Sequence, residues 1–416
     1  MREEVEELEE GLPDIPFVMG VADKDSADIA DLGLHIRGSP KNLGERVPRG
    51  FPLVLQTEGE PERYVEGSGR LRLARDIAEH PIAARVMVNR VWAWHMGAGI
   101  VRTPSNFGIM GERPTNPELL EFLAADFVEN GQSIKRLHKQ IMLSSVYQLA
   151  ADDEPRFADI DPDNRYFWRF NRERLTAEAI RDGLLFVSGD LDDEVGGESL
   201  QLDDEKNLRR TIYGEVSRFQ VNEYLQTFDF PSPSLTAERR FSTNVPLQSL
   251  YFMNSDFVTA RAESFVRRLG KLVSPDSAAA GAAAAEDDDG PAAKGGKGPS
   301  KPAADDEDEE KVYADDEMPK VFDDRAMIEA AYPILYAREV TDAEAELGVE
   351  FLSTQKAAYL EAELARVVAD EDEATDGGSE PSAEAVRALA ERRAAMKAWV
   401  QYGRALFSAA EFRFIS

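Results

Sequence analysis

Three groups of side chains in this sequence are of types that do chemistry. The first is Arg85, Asn89 and Arg90, with Arg102 a turn and a loop further on. Guanidinium forks match the geometry of planar oxyanions, so such a group forms either an anion pocket or the arginine half of a structural ion-pair network. The second is His95, which closely follows Trp92 and Trp94. A histidine there acts as a proton acceptor near neutral pH or as a core residue bonded to a backbone carbonyl. The third is Asp229 in the run Phe228-Asp229-Phe230-Pro231, followed by Arg239, Arg240, Thr243, Gln248 and Asn254. Two phenyl rings beside a carboxyl withdraw it from water and raise its pKa, which suits acid–base work; a proline turn also suits a carboxylate that only holds an arginine. Asp229 and His95 are therefore the candidate catalytic residues. Arg85, Asn89, Arg90, Arg102 and Arg240 are the candidate anion-binding or structural polar network. Arg85, Asn89 and Arg240 are expected to meet Asp229 in one such network.

Other chemistries lack their residues. The chain of 416 residues has no cysteine, which excludes disulfides, thiolate metal sites, c-type haem attachment and cysteine nucleophiles. Its four histidines show neither HxxxH nor HExxH spacing, and there is no GxSxG, P-loop or dinucleotide fingerprint. No cofactor and no metal are expected. The formal net charge of −31 argues against nucleic-acid binding, which needs clustered Lys and Arg. No apolar run approaches the length of a membrane span, and residues 1–15 lack the charged-then-apolar pattern of a signal peptide, so none is expected in this chain.

The elements that must position these groups read as helices. His80 to Met96 opens with a first-turn proline and ends at Gly97; its apolar residues circle the wheel, which predicts a buried helix carrying Arg85 and Asn89. Asn116-Pro117 and Ser133 open two further helices that form a hairpin around Asn130-Gly131. Helices are also expected over Asp161–Phe170, Arg174–Val187 and Val221–Phe228, and over Val245–Leu269 with a break near Asn254-Ser255. Others follow over Arg325–Arg338, with a kink at Pro333, and from the capping box at Thr341 to Val368. Ser382 opens the last one. Short strands are expected at Phe17–Val21, Leu34–Ile36 and Arg209–Val216, and Gly38–Pro52 reads as an irregular loop.

The acidity is concentrated. Residues 1–10 carry a net −5, residues 274–320 a net −9 and residues 369–382 a net −6. Such runs cannot build a core and read as solvated chain. The sequence thus predicts a mainly α, multi-helix globular fold with a few short strands and two disordered acidic insertions. Its parts are a lead-in or joint over 1–66, a main helical domain over 67–273, the linker 274–320, and a C-terminal helical segment over 321–416. That segment contains the insertion 369–382 and packs on the main domain.

Several long stretches resemble a known family, the planctomycete-type "domain of unknown function 1553" proteins. They are HPIAARVMVNRVWAWHMGAGIVRTPSNFG, GERPTNPELLEFLAADFVENGQSIKRLHKQIMLSSVYQ, NRERLTAEAIRDGLLFVSGDLD, FDFPSPSLTAERRFSTNVPLQSLYFMNSDFV, YAREVTDAEAELGVEFL and ALFSAAEFRFIS. One departure is Asn116, where the family commonly has histidine. The resemblance implies the C-terminal part of a large exported bacterial protein of the periplasm or cell surface, whose relatives carry a cytochrome-c-like domain upstream. Two functions remain open on this reading. One is a structural or interaction module of a cytochrome-associated complex. The other is a carbohydrate-active enzyme, a glycan hydrolase or transferase, built on a buried Asp/His/Arg site. Limited proteolysis should cut first within 274–320 and 369–382 and leave the flanking helices associated; flanking fragments that separate at once would count against the arrangement.

Overall fold

A computed structural model describes residues 20–56, 62–202, 204, 206–274, 313–314, 318–374 and 382–415, the stretch 368–374 by its backbone. The chain divides into two compact units, Met1–Ser144 and Ser145–Ser416. The division falls inside the stretch 67–273 that reads as one domain in the sequence. The fold is mainly α.

In the first unit, strands β1 (Gly33–His35) and β2 (Leu43–Arg46) pair antiparallel, so the expected loop over Gly38–Pro52 contains a strand. Helices α1 (Arg70–Glu79) and α2 (Pro81–Met96) follow, with the His80 ring accepting from the Ile82 amide at the start of α2. Helices α3 (Pro117–Glu129) and α4 (Ile134–Met142) form the expected hairpin. Asn116 caps the Leu119 amide and Ser133 the Arg136 amide, so one orphan donor at the start of each helix is met by a side-chain oxygen. The core of this unit joins Val88, Val91, Trp92 and Met96 of α2 to Leu120, Leu123 and Phe127 of α3 and Leu137 and Ile141 of α4. Helix α2 is not buried all round. Trp94 is 68% exposed and Arg90 is also exposed, so one side of the helix meets water while Asn89 stays fully buried.

The second unit begins with the short α5 (Pro155–Ala158) and the two-residue β3 (Glu173–Arg174). The expected helix over Asp161–Phe170 is a loop instead. The Asp161 carboxylate accepts from the Arg165 and Tyr166 amides, and Asn164 and Phe167 take positive φ. Local side-chain capture of amides is the usual competitor of helix. Helices α6 (Ala177–Ser188) and α7 (Glu223–Thr227) lie close to their expected bounds. Between them the expected strand over Arg209–Val216 is a 3-10 turn at Thr211–Tyr213 with isolated bridges at Arg209 and Gly214. Asp182 of α6 takes the Thr211 amide and hydroxyl at 2.7 and 2.6 Å, which removes a donor that a ladder would need.

Helices α8 (Pro246–Asn254) and α9 (Asp256–Val273) realise the expected break at Ser255. Helix α10 (Asp324–Tyr336) runs through Pro333, and α11 (Asp342–Ala374) starts at the Thr341 capping box, with Thr341 and Glu344 bonding each other's amides. Helix α12 (Ala383–Ser408) is capped by Ser382 and leads through α13 (Ala410–Arg413) to β4 (Phe414–Ile415). The long α12 packs on α8, α9 and α11, and Trp399, Phe265, Phe407 and Phe252 are fully buried among them. No helix among the described residues is long and apolar enough to cross a membrane.

Most of the two acidic insertions lies outside the described residues. Their edges are better ordered than expected. Tyr313 and Met318 are buried, the Tyr313 hydroxyl reaches Glu263 at 3.1 Å, and α11 runs on to Ala374. Arg338 donates to both Glu344 and Glu411, tying the end of α10 to α11 and α13. The Arg338 hydrogen bonds, then those from Thr341, hold the Glu344 carboxyl down at about 2. A carboxyl depressed on folding stabilises above its unfolded pKa and loses that contribution as pH falls through the folded one. Wild-type stability should therefore carry a component that fades between about pH 4.5 and 2, and Glu344→Gln should remove it in a pH series of thermal melts.

Candidate functional site

The second unit holds the most closely knit polar cluster around a sequence-predicted residue. Asp229 follows α7 with φ of 63°, in the left-handed region that a non-glycine side chain seldom takes. The turn is fixed by the Phe230 amide donating to the Leu225 carbonyl at 2.9 Å. This geometry carries the carboxylate back under the loop that leads to α8. Four donor groups converge on it. The Arg174 guanidinium reaches Oδ2 at 2.5 Å, the Thr243 amide reaches Oδ2 at 2.9 Å and the Thr243 hydroxyl reaches Oδ1 at 2.8 Å. Gln248, fully buried at the start of α8, adds a longer contact at 3.5 Å and also donates to the Thr227 carbonyl.

Arg174 is placed from the far side of the sequence. Strand β3 pairs antiparallel with β4, Arg174 opposite Phe414, and the Leu175 amide donates to the Arg413 carbonyl. The Arg174 side chain is 3% exposed; its Nε donates to Ser242 Oγ and its guanidinium lies 5.8 Å from the Phe228 ring centre. Phe228 in turn packs edge-on against Tyr251 and Phe252. Tyr224 completes the aromatic wall. Burial drives its hydroxyl pKa well above the ordinary range, and it donates to the Ala177 carbonyl, so it is a fixed donor rather than a proton carrier.

Contrary to the expectation from the sequence, Arg240 does not pair with Asp229; it grips Glu178 of α6 through two bonds of 2.6 and 2.8 Å and lies over the Phe230 ring. Burial opposes ionisation of Glu178, but the Arg240 bonds prevail and keep its carboxyl below the usual range. Beside them, Arg181 is fully buried and donates through its two terminal nitrogens to the Arg209 and Asn207 carbonyls and the Thr211 hydroxyl.

The remaining candidates belong to the first unit and have partners there. Arg85 forms a forked pair with Glu121 at 2.6 and 2.7 Å on a surface open to water. Asn89 is fully buried and takes both the amide and the carbonyl of Val101, which pins the chain leaving α2. A Cβ at Gly99 would stand 2.7 Å from that Asn89 amide, so the close approach requires glycine there. Arg90 is exposed and Arg102 half-buried. His95 contacts His138 of α4, ring nitrogen to ring nitrogen, at 2.6 Å; burial first, and then the neighbouring imidazole, lower its pKa. Among the described residues no group of three or more His, Asp or Glu has the arrangement to hold a metal ion.

Fold and site together define a mainly α protein whose second unit is closed by an arginine–aspartate clasp. Over residues 69–352 the chain matches the family described as a protein of unknown function, DUF1553, and it belongs to that family. Neither the curated proteins nor the solved structures contain a match to it.

Sequence reasoning named Asp229, Thr243 and Gln248 in one constellation but missed Arg174 and Glu178. Removing one member of a buried, hydrogen-bonded pair costs on the order of 3–5 kcal/mol. Arg174→Met should therefore unfold at markedly lower denaturant than wild type, and Asp229→Asn less so, since an amide keeps some of the hydrogen bonds. Equal midpoints for all three proteins would mean that the clasp adds nothing to stability.

Proposed function

We propose that this chain is a non-catalytic module that serves structure and interaction within a larger exported assembly. The observation that carries the reading is the state of Asp229. General acid–base catalysis needs a carboxyl that can reach substrate and exchange a proton. Here both carboxylate oxygens are taken by Arg174 and Thr243, and the side chain is 16% exposed. A second feature supports the same reading. Leu247, Leu250 and Met253 recur every third residue along α8 and are 59%, 48% and 58% exposed, an apolar edge of the kind that marks contact surfaces.

The partner that the family resemblance implies is a cytochrome-c-bearing surface protein, and export to the periplasm or cell surface belongs to the same implication. The competing reading, a carbohydrate-active enzyme using Asp229 and His95, needs the carboxylate that the clasp consumes. The two readings separate in one experiment. Wild type should leave aryl glycosides at the background rate, and Asp229→Asn should lower the melting temperature. A hydrolytic rate in wild type that Asp229→Asn abolishes without lowering the melting temperature would reverse the assignment in favour of the enzyme.

A further inference from the structure

Above helix α6 lies a cavity of about 530 Å³, within the size range of small-molecule sites. Leu202, Ile212, Val216, Leu225 and Phe230 supply its apolar wall. Its charged lining consists of Glu178, Asp182, Arg210 and Arg240, two acids and two bases. The lining is therefore neutral in sum, and it offers no unopposed field to an anion or a cation.

The two ion pairs differ. Glu178 and Arg240 are closed onto each other through two short bonds. Asp182 and Arg210 are not. Asp182 Oδ1 is engaged by the Thr211 amide and hydroxyl, which fix the carboxylate, while Oδ2 stands 3.7 Å from Arg210 Nε. That gap is too long for a direct hydrogen bond, and among the described residues nothing else bonds to either atom. It leaves a charged acceptor and a charged donor side by side, each with free capacity. A group that completes both must donate to the carboxylate and accept from the guanidinium. A hydroxyl does this; an ammonium only donates and a carboxylate only accepts.

We propose that this cavity binds a neutral hydroxylated ring, a saccharide unit, with one hydroxyl bridging Asp182 and Arg210 and a C–H face laid on the apolar wall. Arg240 uses both terminal nitrogens on Glu178 and keeps Nε for a second hydroxyl. The site is independent of the Asp229 clasp, and the proposal involves no bond making or breaking. It therefore stands or falls separately from the non-catalytic reading above.

Saturation-transfer NMR on the full chain tests it. The probes are the methyl pyranosides of glucose, galactose, mannose and xylose, with inorganic phosphate and free leucine as charged and zwitterionic controls. At least one pyranoside should receive saturation, with the signal strongest on the C–H protons of one ring face, and phosphate and leucine should not compete. Arg210→Met should weaken binding about tenfold, the size expected for a hydrogen bond to a charged group. Ile212→Trp, at a position 71% exposed, should fill the mouth without disturbing the fold and abolish binding. Transfer to none of the pyranosides would overturn the proposal, as would displacement by phosphate or leucine. Pyranoside binding unchanged in both variants would place the sugar elsewhere and overturn it equally.

Discussion

The second unit depends on one buried ion pair, Arg174 with Asp229. A guanidinium that is 3% exposed needs acceptors to stand in for water, and the nearby Phe228 ring gives it only part of what water would. Asp229 supplies the rest, at the cost of a left-handed backbone that Asp tolerates better than most residues. Once the carboxylate is in place it also collects Thr243 and Gln248, so the long irregular stretch between α7 and α8 is anchored at both ends. That stretch has no ladder of its own. Its shape comes from side chains gathered on one carboxylate.

The same logic recurs across the molecule. Polar groups that helices cannot satisfy are used to hold irregular chain. Asn89 holds the residues after α2, Asp161 holds the loop that replaces an expected helix, Asp182 holds Thr211, and the Arg181 guanidinium holds the carbonyls of 207 and 209. With only two short pairs of strands among the described residues, these side chains do for the loops what sheet hydrogen bonds do elsewhere.

Much of this was legible in the sequence. Capping residues and first-turn prolines marked α2, α3, α4, α11 and α12, because their physics is local: a side-chain oxygen meets an amide two or three residues away. The break at Ser255 was legible for the same reason. Asp229 stood out by its phenyl and proline neighbours. Its partner did not, since Arg174 is one arginine among many and reaches Asp229 only through pairing of residues 173–174 with 414–415, which leaves no local trace. The helix expected at Asp161–Phe170 failed because the composition of that stretch says nothing about where the Asp161 oxygens turn. The all-round apolar reading of α2 failed because Trp94 is apolar by type yet lies exposed.

The pairing of β3 with β4 has a consequence for the order of events at birth. Residues 173–174 leave the ribosome long before residues 414–415 exist, and no other segment among the described residues pairs with that two-residue strand. Until then Arg174 has a backbone without a fixed position, and Asp229, made early, has a carboxylate waiting for it. Contacts this distant in sequence form late and slowly. Helix α12, which packs on α8, is likewise made late, so the nascent chain has a long interval in which it needs shelter from its neighbours. The high negative charge supplies one form of that shelter, by keeping unfinished chains apart.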